Sequence, residues 1–237
     1  MSQTSLLKSL GVRLLPALSV PPSSSSALLS HLQSKFKRMR PKKQHWDDVI
    51  AGYKEMELHD PTGKVQTAVR DVQSAFRTAI ADGHADPDEP QFTWLPTHAL
   101  AYPPAPEGGE QQLKPHVDST RFSGEYVCGY TLKGGGERVL RLRWSEDPEC
   151  VEVPESDLRR EDRGMVVDVP LEEGSGYVLS GMARYNMTHE VVGGGGEERI
   201  VAMFRDEKRD GRVPFGIREE DLEKEEREKE EREERTS

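Results

Sequence analysis

Hydrophobic positions along this chain keep two different rhythms. In "PTGKVQTAVRDVQSAFRTAIADG", residues 61–83, Val65, Val69, Val72, Phe76 and Ile80 recur at steps of four, three, four and four. That stripe stays on one side of a helix, so it predicts an amphipathic helix laid against a core. Upstream, "SSSSALLSHLQSKFKRMR" places Leu28, Leu32 and Phe36 on one face behind serines suited to capping, which predicts a second helix. "VRLLPALSV" just before it is apolar enough for a strand. From Phe92 onward the period shortens. "FTWLPTHALAY", "YVCGYTL", "RVLRLRW", "MVVDV", "GYVLS" and "RIVAMFR" read as short strands, with "KGGGE" and "GGGGEE" as glycine-rich turns between them. Strands so closely spaced predict a β-sandwich or jelly roll rather than a parallel sheet with crossover helices.

Composition refines this picture. At 237 residues the chain fits one domain with extensions. We expect an N-terminal extension over residues 1–24, a domain over 25–216 and a charged tail over 217–237. Residues 1–46 hold eight Lys or Arg and no Asp or Glu, although the whole chain carries a net charge of −10. A basic, serine-rich, acid-free start has the composition of a mitochondrial targeting segment; the alternative is an extension leading into the domain. The cluster "KFKRMRPKK" at 35–43 would attract phosphates without sequence preference, but such clusters are more often solvated helix ends. Residues 218–235 hold six basic and eleven acidic side chains and one apolar residue, Leu222. That predicts an exposed, ion-paired helix or a disordered tail that buries nothing. No apolar run approaches the roughly 18 residues of a membrane span. Cys128 and Cys150 are too few for a disulfide framework and lack partners at zinc-ligand spacing, so reduced thiols are expected.

His-x-Asp occurs three times, as His45-Trp46-Asp47, His84-Ala85-Asp86 and His116-Val117-Asp118. Only the last enters the β-rich region, where alternation sends both side chains to one face if the segment is extended. An imidazole and a carboxylate aimed the same way are two parts of a facial triad that holds non-haem iron(II). A second histidine, brought close by the fold, would complete it, and His189 in "ARYNMTHEVV" follows the main strand series. In "RIVAMFR", Arg199 and Arg205 stand six apart, hence on one face with Val201 and Met203, while Ile200, Ala202 and Phe204 face away. Guanidiniums turned into a barrel need anions, and a dicarboxylate suits them. On a surface strand they would simply meet water.

This order of features resembles the AlkB-like 2-oxoglutarate- and iron(II)-dependent dioxygenases, and within them a mitochondrial subgroup. The resembling blocks are "HWDDVIAGYKEME", "KPHVDSTRFSG", "GSGYVLSGMARYNMTHEVV" and "RIVAMFR", within residues 10–206. The resemblance implies an α+β fold with a double-stranded β-helix (jelly-roll, cupin-like) core and packing helices on its N-terminal side. It implies His116, Asp118 and His189 as iron ligands, and Arg199 and Arg205 as partners of the 2-oxoglutarate carboxylates. Tyr177, twelve residues before His189, matches a tyrosine whose hydroxyl reaches the cosubstrate. No catalytic group beyond the metal centre is implied. Asn186 or Thr188 is expected to orient the His189 ring. Oxygen and 2-oxoglutarate are the implied partners, and succinate and carbon dioxide the products, with hydroxylation or demethylation of a further substrate: protein, RNA or a lipid-related metabolite. A monomer in the mitochondrial matrix is implied, with the cytoplasm or nucleus as alternatives, together with links to lipid metabolism and programmed necrosis. The chain departs from the family in a short His189-to-Arg199 loop. It also lacks the Asn-x-Tyr element before His-x-Asp, where "HALAYPPAPEGGEQQ" stands and Tyr102 is a weak substitute. A nucleobase substrate therefore does not follow. The reading from another class is a catalytically inactive jelly-roll binding or adaptor protein.

Overall fold

A computed structural model describes residues 7–42, 52–82, 92–102, 104, 113–119, 123–134, 136, 138–145, 165–193 and 197–207. His45, His84, Cys150 and the charged tail lie outside the described residues. In chain order the elements are β1 (Val12–Leu15), α1 (Pro22–Phe36), β2 (Lys54–Leu58), α2 (Gly63–Ala81), β3 (Thr97–Tyr102), β4 (Leu113–His116), β5 (Ser123–Lys133), β6 (Val139–Trp144), β7 (Val166–Pro170), β8 (Gly176–Leu179), α3 (Gly181–Tyr185), β9 (Met187–Val192) and β10 (Arg199–Glu207).

The strands form two sheets. One has six strands in the order β1-β8-β5-β10-β3-β2, the other four in the order β4-β9-β6-β7. From β3 onward the chain passes repeatedly between them: β4, β6, β7 and β9 lie in the small sheet, β5, β8 and β10 in the large one. All pairings are antiparallel. This is the jelly-roll winding, as expected.

Alternation along β10 shows how the layers stack. Ile200, Ala202 and Phe204 join Leu28, Phe36, Val69, Val72 and Phe76 in a core between the large sheet and the helices. Val201 and Met203 join Leu140, Leu142, Val169 and Val191 in a second core between the sheets. The helix stripe read from the sequence is therefore the cover on the outer face of the large sheet. Phe76 is fully buried, stands 5.6 Å from Phe204 centroid to centroid, and packs over Gly176. Cys128, a buried free thiol, faces this helical layer.

Two local expectations differ from the structure. The serines before Leu28 do not cap α1; it starts on Pro22 with Pro21 at the cap position and no side-chain cap bond. Proline suits a first helical position because its fixed φ is already helical and its missing N–H would have no partner there. β2, "KEMEL", carries no apolar pattern: it is a polar strand at the edge of the large sheet, and only Leu58 is buried. No helix among the described residues is long and apolar enough to cross a membrane.

Truncating Phe76→Ala should destabilise the fold by about 3–5 kcal/mol, the range for a buried aromatic lost from a packed core. Urea unfolding followed by circular dichroism measures this. A cost below about 1 kcal/mol would contradict the packing described.

Candidate metal and anion site

β4 pairs with β9 so that His116 lies directly across from His189. Opposed residues of an antiparallel pair bring their side chains together, and the imidazole centroids are 4.2 Å apart. Asp118 lies beyond the end of β4, in a loop rather than the expected extension of the strand, yet it turns to the same point. Its Oδ1 is 3.4 Å from Nε2 of His116 and 3.7 Å from Nε2 of His189. One donor atom from each residue lies within 4.8 Å of the other two. The Nδ1 of His116 is 2.9 Å from the Lys114 carbonyl. A carbonyl only accepts, so Nδ1 carries the proton and Nε2 turns its lone pair to the centre. Burial, and next the neighbouring His116, depress His189 from 6.5 to about 3, leaving it neutral at physiological pH.

Asp118 is the charged member. Burial alone would raise its pKa, but the Arg205 charge beside it holds it well below the usual carboxylate range. Arg205 Nε donates to Oδ2 at 2.8 Å, which leaves Oδ1 toward the histidines. Arg205 Nη1 in turn lies 3.4 Å from Nδ1 of His98. A guanidinium only donates, so His98 Nδ1 accepts and Nε2 carries the proton toward Glu55 Oε2, 3.2 Å away. A hydrogen-bond chain thus runs from Asp118 through β10 and β3 to the edge strand β2, where Lys42 also holds Glu55.

The Asp118 loop has a second restraint, which the sequence reading did not identify. Arg184 of α3 is 2% exposed. Its Nη1 donates to the Asp118 carbonyl at 2.8 Å, and its Nη2 to the Ser119 carbonyl at 3.1 Å and Ser123 Oγ at 2.8 Å. The adjacent Tyr185 hydroxyl donates to the Gly124 carbonyl at 3.2 Å. The only sequence signal is an arginine five residues before His189 in the block "ARYNMTHE". Thr188, expected to orient His189, instead donates to the Arg143 carbonyl at 3.3 Å, because alternation turns it away from the ring.

Arg199 and Arg205 share the inner face, as their spacing indicated, but their surroundings differ. Arg205 is engaged by Asp118. Arg199 is 2% exposed, its Nε has no hydrogen-bond partner among the described residues, and its guanidinium carbon lies 5.4 Å from the centre of the Tyr102 ring. A buried guanidinium with an unmet N–H suits an anion. Tyr177 lines the same interior, opposite Gly129 on β5, and donates to Met203 Sδ at 3.6 Å. A Cβ on Gly129 would run into the Tyr177 ring, so the glycine makes room for it. Burial raises the Tyr177 pKa well above 10, which keeps the hydroxyl a donor.

No family model matches the chain. It is 28% identical over 170 residues to the Bos taurus protein named alpha-ketoglutarate-dependent dioxygenase alkB homolog 7, mitochondrial, covering 72% of this chain and 62% of that one. The chain thus spans about three-fifths of the length of the curated relatives it matches. In structure it is similar to a Trichoplax adhaerens prolyl hydroxylase in complex with a hypoxia inducible factor oxygen degradation domain peptide fragment. That match has TM-score 0.59 and 13% identity, and covers 86% of this chain and 87% of that one. A Pseudomonas putida prolyl-4-hydroxylase gives TM-score 0.55 at 16% identity, covering 87% and 97%. The resemblance to mitochondrial AlkB-like dioxygenases is thus borne out by these relatives, and the jelly roll by the solved structures.

Two outcomes follow. Arg184→Gln, which gives up the fork on the Asp118 loop, should weaken Mn(II) binding by roughly 10- to 100-fold, the usual effect of losing an outer support of a metal site; an unchanged titration would remove Arg184 from this role. Glu55 is held at about 2 by its His98 hydrogen bond, with burial opposing and Lys42 assisting. Its folded pKa is depressed, so its contribution is present above 4.5 and fades as pH falls toward about 2. The stability difference between wild type and Glu55→Gln, measured by thermal unfolding, should shrink across that window; a constant difference would contradict it.

Proposed function

We propose that the chain is an iron(II)- and 2-oxoglutarate-dependent dioxygenase. The observation that carries this reading is the convergence of His116, Asp118 and His189 within 4.8 Å, in a barrel interior that also holds the buried Arg199 guanidinium, whose Nε–H is unmet among the described residues. Two neutral imidazoles and one ionised carboxylate form the donor set of non-haem iron(II) sites that keep open positions. The orphaned Arg199 N–H fits a carboxylate at the far end of a dicarboxylate.

His116 and His189 would hold the ion through Nε2, and Asp118 through Oδ1. Arg205 keeps Asp118 ionised and oriented, and its charge offsets the cost of burying the carboxylate. Arg199, with Tyr177 as a hydroxyl donor, would bind and align the cosubstrate. Leu140, Leu142, Val201 and Met203 between the sheets exclude water from it. Bound iron supplies the activation of dioxygen. In the overall balance, 2-oxoglutarate, O2 and a substrate C–H give succinate, CO2 and a C–OH. Where that carbon is an N-methyl group, the hydroxylated product releases formaldehyde and the outcome is demethylation.

The reading extends to a mitochondrial address, supported by the relatives' printed names and by the acid-free basic stretch over residues 1–46. The physiological extension is a monomeric mitochondrial enzyme linked to lipid metabolism and programmed necrosis, supported by the family resemblance. The primary substrate is a protein, RNA or lipid-related metabolite.

Anaerobic addition of iron(II) and 2-oxoglutarate to the full chain should produce a visible charge-transfer band, and admitting O2 should yield succinate. His116→Ala should abolish both. Neither band nor succinate from the wild type would overturn the reading in favour of a jelly-roll binding protein.

A further inference from the structure

A further guanidinium enters the interior where β6 begins. Leu140 and Leu142 point between the sheets, whereas Arg141 and Arg143 point outward to Asp168 and Glu190. The two-residue period places Arg138 on the face of Leu140 and Leu142, and it is 3% exposed. Its Nη2 donates to the Glu197 carbonyl at 2.9 Å, two residues before Arg199, and its own carbonyl accepts from Leu171 N at 3.1 Å. Lys133, just before the turn into β6, lies opposite Ile200, so this turn sits against the start of β10. Burial lowers the Arg138 pKa, and the Arg199 charge lowers it further; only Glu197, an exposed residue, and Tyr102 act against this.

Two like charges buried in one interior are unfavourable unless an anion meets them. Among the described residues the most buried carboxylates are already engaged, Asp118 by Arg205 and Asp206 by the backbone amides of Glu125 and Tyr126. A single bond to a loop carbonyl needs a donor but not a cation. We infer that Arg138 and Arg199 together clasp the distal carboxylate of the cosubstrate, making Arg138 a specificity-determining residue that favours dicarboxylate over monocarboxylate 2-oxo acids. This rests on the cosubstrate site proposed above. Arg138 assists neither the metal nor the keto acid end. Its removal should therefore act on one end of the ligand only.

The experiment uses the full chain loaded with Mn(II), which binds without turnover. 2-Oxoglutarate is titrated by calorimetry against 2-oxopentanoate, the same chain without the distal carboxylate, for wild type, Arg138→Gln and Arg138→Lys. Arg138→Gln should lose about tenfold or more in 2-oxoglutarate affinity, as expected for one charge-assisted bond, with 2-oxopentanoate affinity unchanged. Arg138→Lys, which keeps the charge, should lose less, and it carries the test if Arg138→Gln fails to fold. Unchanged 2-oxoglutarate binding, or equal losses for both ligands, would overturn the inference and leave Arg138 a prop for the Glu197 loop. Absence of 2-oxoglutarate binding in the wild type itself would remove the cosubstrate reading and this inference with it.

Discussion

The ion pair between Arg205 and Asp118 is the constraint on which the site depends. A carboxylate between two apolar sheets would ordinarily take up a proton, and a neutral acid is a poor partner for a cation. At 2.8 Å the guanidinium keeps it ionised and occupies Oδ2, so Oδ1 is the oxygen presented to His116 and His189. The same contact fixes a side chain that lies outside any strand. Arg184 restrains the backbone of that loop while Arg205 restrains its carboxylate, one reaching from α3 and the other from β10. Removing one partner of such a buried pair leaves an uncompensated charge, which is why the two belong together in any account of the fold or the chemistry.

The jelly roll is what brings these partners together. Its winding pairs β4 with β9, placing histidines 73 positions apart in the chain directly across from each other. It also sets β3 beside β10, so that His98 and Tyr102 face Met203 and Arg199 in register. The result is a polar line through an apolar interior: Glu55, His98, Arg205, Asp118 and the two imidazoles at one end, Arg199, Arg138, Tyr102 and Tyr177 at the other. Each polar group on this line either has a partner or stands where an anion would provide one.

Much of this was legible before the fold was known, for reasons that can be stated residue by residue. Val69, Val72, Phe76 and Ile80 show their helical face because packing against a sheet requires a continuous stripe. His116, Asp118, His189 and the six-residue spacing of Arg199 and Arg205 were readable because the metal and anion sites they would form restrict residue type, and strands restrict spacing. Arg184, Arg138 and His98 were not. Each acts through side-chain hydrogen bonds 43 or more positions away, such as Arg184 to Ser123 or Arg138 to Glu197, and nothing local distinguishes them from surface residues. β2 has no signature in the sequence because an edge strand buries too little to need an apolar pattern. The serines before Leu28 offer a capping pattern, but Pro22 starts that helix more simply.

The most direct measurement of the central claim is a crystal structure of the full chain with Mn(II) and 2-oxoglutarate. The account predicts the ion on Nε2 of His116, Nε2 of His189 and one oxygen of Asp118, with Arg205 still bonded to the other oxygen and Arg199 on the distal carboxylate of the ligand. An ion bound elsewhere, or Asp118 swung away from both histidines once the ion is present, would contradict it.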